Sequence, residues 1–303
     1  MPKALRWLLA TLILAAGIIG VERYLGWAAL LSAWRELPLS HLLGLTALTL
    51  CSYILRAFRV YRYFIDYTSG AFSQTLRLSL LHNAINNFLP MRLGEASFPI
   101  LMKRQFSVSL SQSTSGLLWI RLADLHCLST LFLLSLAPNL GPMLFVLAGL
   151  WLLLPRALWL IWQRGTLHLP PKWQSKIATL QQFSPTSFRQ WQRMYGLTTL
   201  VWLSKLFALC AIMLSFISIP PAQALLAVIG ADFSSVLPIH GLAGSGTYEA
   251  AMLVALSPFD LPSKDILAAA VNVHLYLLGT SLLSIPLALL ISERARNTLV
   301  TNN

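Results

Sequence analysis

Arg121 and Asp124 stand one helical turn apart in Trp119-Ile120-Arg121-Leu122-Ala123-Asp124, inside an otherwise apolar run, close enough to pair on one face. A guanidinium binds phosphate bidentately and stays charged at every relevant pH. Arg121 is therefore the leading candidate for holding an anion, and Asp124 the partner that keeps it charged. Upstream, Asn83, Asn86, Asn87, Pro90, Arg92, Gly94 and Glu95 crowd amides, charges and helix breakers into the stretch that begins at His82. Charge near a bilayer centre costs roughly 2.5–3.5 kcal/mol on insertion scales, so such groups face a partner or a cavity and are functional by default. Broken backbone at that depth is tolerated only where protein or water satisfies the freed amides. The stretch reads as the wall of a polar site, with Arg92 as a candidate contact and Asn83, Asn86 and Asn87 either lining it or satisfying the broken backbone. A second irregular stretch carries Asp232, Pro238, His240, the glycine-rich Gly241–Gly246 and Glu249. Glu95 and Glu249 could carry protons, bind a cationic headgroup or cap the amides of broken helices. Lys205 and His274 lie inside apolar runs, and Arg56 lies at the end of one. Arg56 and Lys205 could also snorkel to an interface. The histidines show no metal-ligand spacing, and the glycine loop follows no strand, so neither a metal nor a phosphate-cradling cofactor loop is expected.

The elements that must position these groups are apolar helices. Of 303 residues, 56% are hydrophobic and 11% charged, and mean hydropathy is +0.68. This composition describes an all-α polytopic membrane protein, one membrane domain over 1–303. The net charge of +12 lies mainly in loops between spans, the positive-inside pattern; it would attract anionic lipid and gives no support to nucleic-acid binding. The three cysteines fall in apolar segments and form neither a disulfide framework nor a metal set. Spans are expected at about Leu8–Val21, His41–Phe58, Ser115–Leu136, Met143–Ile161, Leu197–Ile217 and Ile266–Ile291, with Glu22–Leu39 as an external loop. Arg56, Arg59 and Arg62 mark a cytoplasmic edge after the second span. Phe72–Leu101 and Ala222–Leu256 are expected as re-entrant helical hairpins. This gives six spans with both termini in the cytoplasm, or eight if the hairpins cross. The basic stretch 162–194 is a cytoplasmic loop, within which Trp173, Ile177 and Leu180 could form a surface helix.

The two irregular stretches match. Pro90 with Gly94-Glu95-Ala96 parallels Pro238 with Gly246-Thr247-Tyr248-Glu249-Ala250. The glutamates lie 154 residues apart (249 − 95), Arg121 and His274 153, Arg56 and Lys205 149, and the prolines 148. Each half, about 5–137 and about 140–292, then holds an odd number of crossings, so the second copy enters from the opposite side. Such inverted repeats place transporter sites at the midplane on broken helices.

Pro90…Gly94-Glu95 followed by Arg121-Leu122-Ala123-Asp124, together with Leu55-Arg56-Ala57-Phe58-Arg59 and Tyr248-Glu249-Ala250, resembles the flippase-like transmembrane family. A familiar member of that family is the membrane region of lysylphosphatidylglycerol synthase, the multiple peptide resistance factor. The resemblance extends from about residue 5 to 292. It implies movement of a phospholipid or lipid-linked phosphate headgroup between leaflets of the cytoplasmic (inner) membrane, without enzymatic turnover. The partners implied are an anionic phospholipid or lipid-linked substrate and the membrane itself, with a homo-oligomer left open. The soluble aminoacyl-transferase domain of the larger synthase is not expected in a chain ending at Asn303, and His274 stands where the family pattern leads one to expect arginine. With no nucleotide-binding motif, energy would come from a gradient, the membrane potential or downhill flow. The rival readings are an intramembrane enzyme acting on lipid phosphates, a small-solute or ion transporter, and a non-catalytic membrane subunit.

Overall fold

The computed structural model describes residues 3–89, 94–163, 184–185, 187–234 and 242–291. A backbone in contact with lipid must satisfy its own amides, so the apolar runs become long helices. In chain order these are α1 (Lys3–Tyr24), α2 (Trp27–Ala33, ending in the 3-10 turn Trp34–Glu36), α3 (Leu39–Tyr63), α4 (Ile65–Thr68), α5 (Phe72–Phe88), α6 (Ser97–Phe106), α7 (Leu110–Leu140), α8 (Met143–Gln163), α9 (Phe188–Leu214), α10 (Pro221–Ser234), α11 (Thr247–Leu256) and α12 (Ser263–Leu290). No strand occurs among the described residues. Four helices, α3, α7, α9 and α12, are long and apolar enough to cross a membrane, and the bent pair Thr11–Tyr24 and Trp27–Glu36 would make a fifth. The apolar part of α8, Met143–Leu158, is shorter than the other four.

Two of the long helices start alike. The hydroxyl of Ser109 accepts from the Gln112 amide at the head of α7, and that of Ser187 accepts from Gln190 at the head of α9, each at 3.2 Å. Inside α8, Pro155 has no amide to offer the carbonyl four residues back. That carbonyl, of Trp151, accepts instead from Nε2 of His126 on α7 at 2.9 Å, and the His126 ring stacks on Trp151.

The irregular stretches are paired short helices that fold back on themselves. Gly94 lies against the backbone of Asn86, where a Cβ would come within 2.3 Å of the Asn86 Cα. Ser97 Oγ sits 3.0 Å from His82 Nδ1, which brings α6 alongside α5. Gly230 of α10 likewise faces Ala251 and Ala255 of α11. Small residues let these helices close: Ala224, Ala227 and Ala231 of α10 and Ala269 and Ala270 of α12 are buried with Leu209, Ile212 and Met213 of α9 in the larger core. Hydrogen bonds tie the first part of the chain to the last. Asn87 donates to Ser281 at 2.6 Å, Thr49 bonds Tyr276 at 2.7 Å, and Trp34 Nε1 donates to the buried Asn272 at 2.8 Å.

Several expectations change. Glu22–Leu39 is not an extended loop: the chain bends by 81° and runs on as α2, which lets Trp34 reach α12. The second span does not end at Phe58; α3 continues to Tyr63, Arg59 is buried, and of the three arginines Arg62 is the exposed one. The third span does not end at Leu136; α7 runs on to Leu140 despite Pro138. Pro90, Arg92, Trp173, Ile177, Leu180, Pro238, His240 and Gly241 lie outside the described residues, as do the charges after Ile291.

Candidate functional site

A cavity of about 300 Å³ lies where α3, α5, α7, α9, α10, α11 and α12 meet. Arg56, Asn87, Glu95, Arg121, Asp124, Lys205 and His274 line it, so seven of the nine sequence candidates converge on one space. Glu249 does not line it and reaches it through His274. Arg92 is outside the described residues.

Asp124 is the hub of the first group of charges. Its Oδ1 accepts from Arg59 Nη1 at 2.5 Å and from Trp202 Nε1 at 2.9 Å, and its Oδ2 accepts from Arg121 Nη1 at 3.0 Å. Arg59 also donates to Thr198 at 2.8 Å. The pairing of Arg121 with Asp124 stands, but the buried guanidinium of Arg59 is the closer partner. From the sequence Arg59 falls at a cytoplasmic edge, because three arginines near the end of an apolar run look like an interface. Its spacing of three from Arg56, which puts both on one helix face, was the available signal. Arg121 is held on its other side by Glu95, with Nη2 to Oε1 at 2.7 Å and Nε to Oε2 at 3.2 Å, a two-point clasp.

A second group of polar residues comes from α11 and α12. Glu249 Oε1 lies 2.6 Å from His274 Nδ1, and Glu249 Oε2 accepts the Gly246 amide at 2.9 Å, capping α11 where Gly246 turns at φ +84. His274 Nε2 donates to the Ala243 carbonyl at 2.8 Å, and the ring stacks on Tyr248. A carbonyl only accepts, so Nε2 carries a hydrogen; the short contact at Nδ1 needs another between the two residues. The pair thus holds one shared proton and is neutral as a unit, whichever partner bears it. Lys205 donates to Asp232 at 2.7 Å and lies over the Trp202 ring, 4.9 Å from its centroid. Asp232 received no role from the sequence. Its signal was arithmetic: it follows Asn83 by 149 residues, the offset that separates Lys205 from Arg56.

Arg56 differs from the other cations. Its guanidinium donates to Asn83 Oδ1 at 3.3 Å, and it forms no salt bridge with a carboxylate among the described residues. Around the cavity the wall is uneven. Leu118, Leu122 and Leu125 share one face of α7 and line the cavity, yet are 42%, 42% and 48% exposed. The polar space therefore opens past apolar side chains on the outside of the bundle.

The arrangement can hold an anion at its guanidinium and ammonium groups and a cation at Glu95 or Asp232, and it can carry a proton at the Glu249–His274 pair. The whole bundle, residues 7–284, matches the family described as lysylphosphatidylglycerol synthase TM region. The chain belongs to that family. A search of curated proteins found no match. As a member of the synthase TM-region family, the chain is a multi-pass membrane protein whose function is related to membrane lipid.

Proposed function

We propose that the protein is a lipid translocator of the cytoplasmic membrane, passing the phosphate-bearing headgroup of a phospholipid or lipid-linked substrate between leaflets while the acyl chains stay in lipid. The observation that carries this reading is the cavity itself: charged at its centre, and rimmed by Leu118, Leu122 and Leu125 on an exposed apolar face. A solute carrier needs an opening to water at each side; a headgroup path also needs a lateral gap through which the acyl chains remain outside. A space of about 300 Å³ is at the lower end of small-molecule sites and suits a headgroup. Arg121, Lys205, Arg56 and Arg92 would meet the phosphate, and Glu95, Asp124 and Asn87 would position them.

The reading includes two inverted repeats, about 5–137 and about 140–292, with α5–α6 and α10–α11 as re-entrant hairpins and both termini in the cytoplasm. Matching contacts support it. Arg56 bonds Asn83 and Lys205 bonds Asp232, each across 27 residues. Glu95 pairs with Arg121 across 26 residues, and Glu249 with His274 across 25. Equivalent residues in the two halves thus make equivalent contacts, although the residue types differ.

Reconstituted in liposomes, the protein should speed leaflet exchange of fluorescent phospholipids, and Arg121→Ala should slow that exchange by about tenfold or more, the scale of a lost buried charge contact. Exchange unchanged by Arg121→Ala would count against this site. Uptake of a water-soluble phosphate without lipid exchange would favour a solute carrier.

A further inference from the structure

We propose that Arg56 anchors a single negative charge, so that the cavity takes a singly charged phosphodiester headgroup and discriminates against phosphate monoesters and diphosphates; this deepens the translocator reading and rests on it. The argument begins with a difference between the halves. Lys205 has Asp232 at 2.7 Å. In the corresponding position of the first half the partner of Arg56 is Asn83, an amide of the same shape with no charge, at 3.3 Å. One carboxylate is therefore missing where the pattern has a place for it.

Each of the other described cations at the site has an acidic partner. Arg59 and Arg121 share Asp124 and Glu95, Lys205 has Asp232, and the Glu249–His274 pair is neutral with its shared proton. Arg56 is left over among the described residues, so the site has room for one negative charge. An ion at membrane depth is costly until it is paired, which favours an anion entering beside Arg56. The groups around it are prepared for hydrogen bonding: Arg56 Nε and Asn83 Nδ2 are buried donors without partners, and Asn86 Oδ1 is a buried acceptor without one. The two donors fit phosphate oxygens, and the acceptor fits a headgroup hydroxyl or ammonium. A second negative charge in the same space would face Glu95, Asp124 and Asp232, and every other described cavity cation already has an acidic partner.

Two substitutions exchange the chemistry of the halves at nearly constant shape. Asn83→Asp restores the missing carboxylate and neutralises Arg56; Asp232→Asn frees Lys205. Binding of radiolabelled dihexanoyl phosphatidylglycerol and dihexanoyl phosphatidic acid to the detergent-solubilised full chain is measured at pH 8.5, above the second ionisation of a phosphate monoester at about 6. Leaflet exchange of long-chain forms in phosphatidylcholine liposomes is measured in parallel. The wild-type chain should bind the phosphatidylglycerol probe about tenfold or more tightly than the phosphatidic acid probe. Asn83→Asp should weaken phosphatidylglycerol binding by a similar factor, as should Arg56→Gln, and Asp232→Asn should raise affinity for phosphatidic acid. The gain in Asp232→Asn is a readout that misfolding cannot produce. Equal binding of the two probes by the wild-type chain, or phosphatidylglycerol binding untouched by Asn83→Asp, overturns the inference. Selective binding without any leaflet exchange overturns the translocator reading and leaves the single-anion site standing.

Discussion

The first half of the chain gathers its charges into one knot, whereas the second keeps its charges in separate pairs. In the first, Asp124 is shared by Arg59, Arg121 and Trp202, and Arg121 is clasped again by Glu95. In the second, Lys205 has Asp232 and His274 has Glu249, and among the described residues no ion pair joins the two pairs. The difference separates two jobs that charges do at membrane depth. A knot with a guanidinium only 2% exposed is scaffold, because each member keeps the others charged. Separate pairs, each joining a long helix to a short one, can open one at a time.

The largest effect should come from cutting the knot at its hub. Asp124→Ala leaves Arg59 buried with no counter-ion, a loss of about 3–5 kcal/mol for a broken buried pair. Its thermal midpoint in detergent should fall far below that of the wild-type chain. Asp232→Ala should cost less, because the Lys205 side chain is 11% exposed and keeps the Trp202 ring beneath its ammonium. If Asp232→Ala melts below Asp124→Ala, the assignment of scaffold to the first half is wrong.

The two fold-backs offer a second contrast. A methyl added at Gly94 meets the Asn86 backbone at 2.3 Å, which cannot move aside as a side chain can. Gly94→Ala should therefore destabilise by about 1–3 kcal/mol, the range for overpacking. A methyl at Gly230 meets the Ala255 Cβ at 3.1 Å, so Gly230→Ala should be milder, and comparing the two melting midpoints tests the difference.

The smallest effect sharpens the role of Glu249. Its Oε2 caps the Gly246 amide, and a lost cap costs about 1 kcal/mol. Glu249→Ala should lower the melting midpoint only slightly, while hydrogen exchange at the start of α11 should rise. A collapse as deep as that of Asp124→Ala would mean that the second half is knotted too.

Much of the site was legible in the sequence because charges are expensive in an apolar chain. Arg121, Asp124, Glu95, Lys205 and His274 stood out against their apolar runs, and all line the cavity. Arg59 was hidden because a cation near the end of an apolar run looks the same whether it meets headgroups or a buried acid. Asp232 was hidden because its partner 27 residues away lies on another helix. Asn83 drew notice only as one of several amides, since nothing local shows that it is the one that meets Arg56.

Length, hydropathy and the cost of charge in lipid determined from the sequence alone that this is a helical membrane protein with a polar interior. They did not determine where every helix ends, because α7 and α8 run through Pro138 and Pro155. The tertiary structure decided which acid serves which base, since helices far apart in sequence set those distances. It also decided that α3 runs deep enough to bury Arg59, and that Arg56 alone among the described cavity cations meets no carboxylate. Pairing is a property of packed helices, and no stretch of chain contains it by itself.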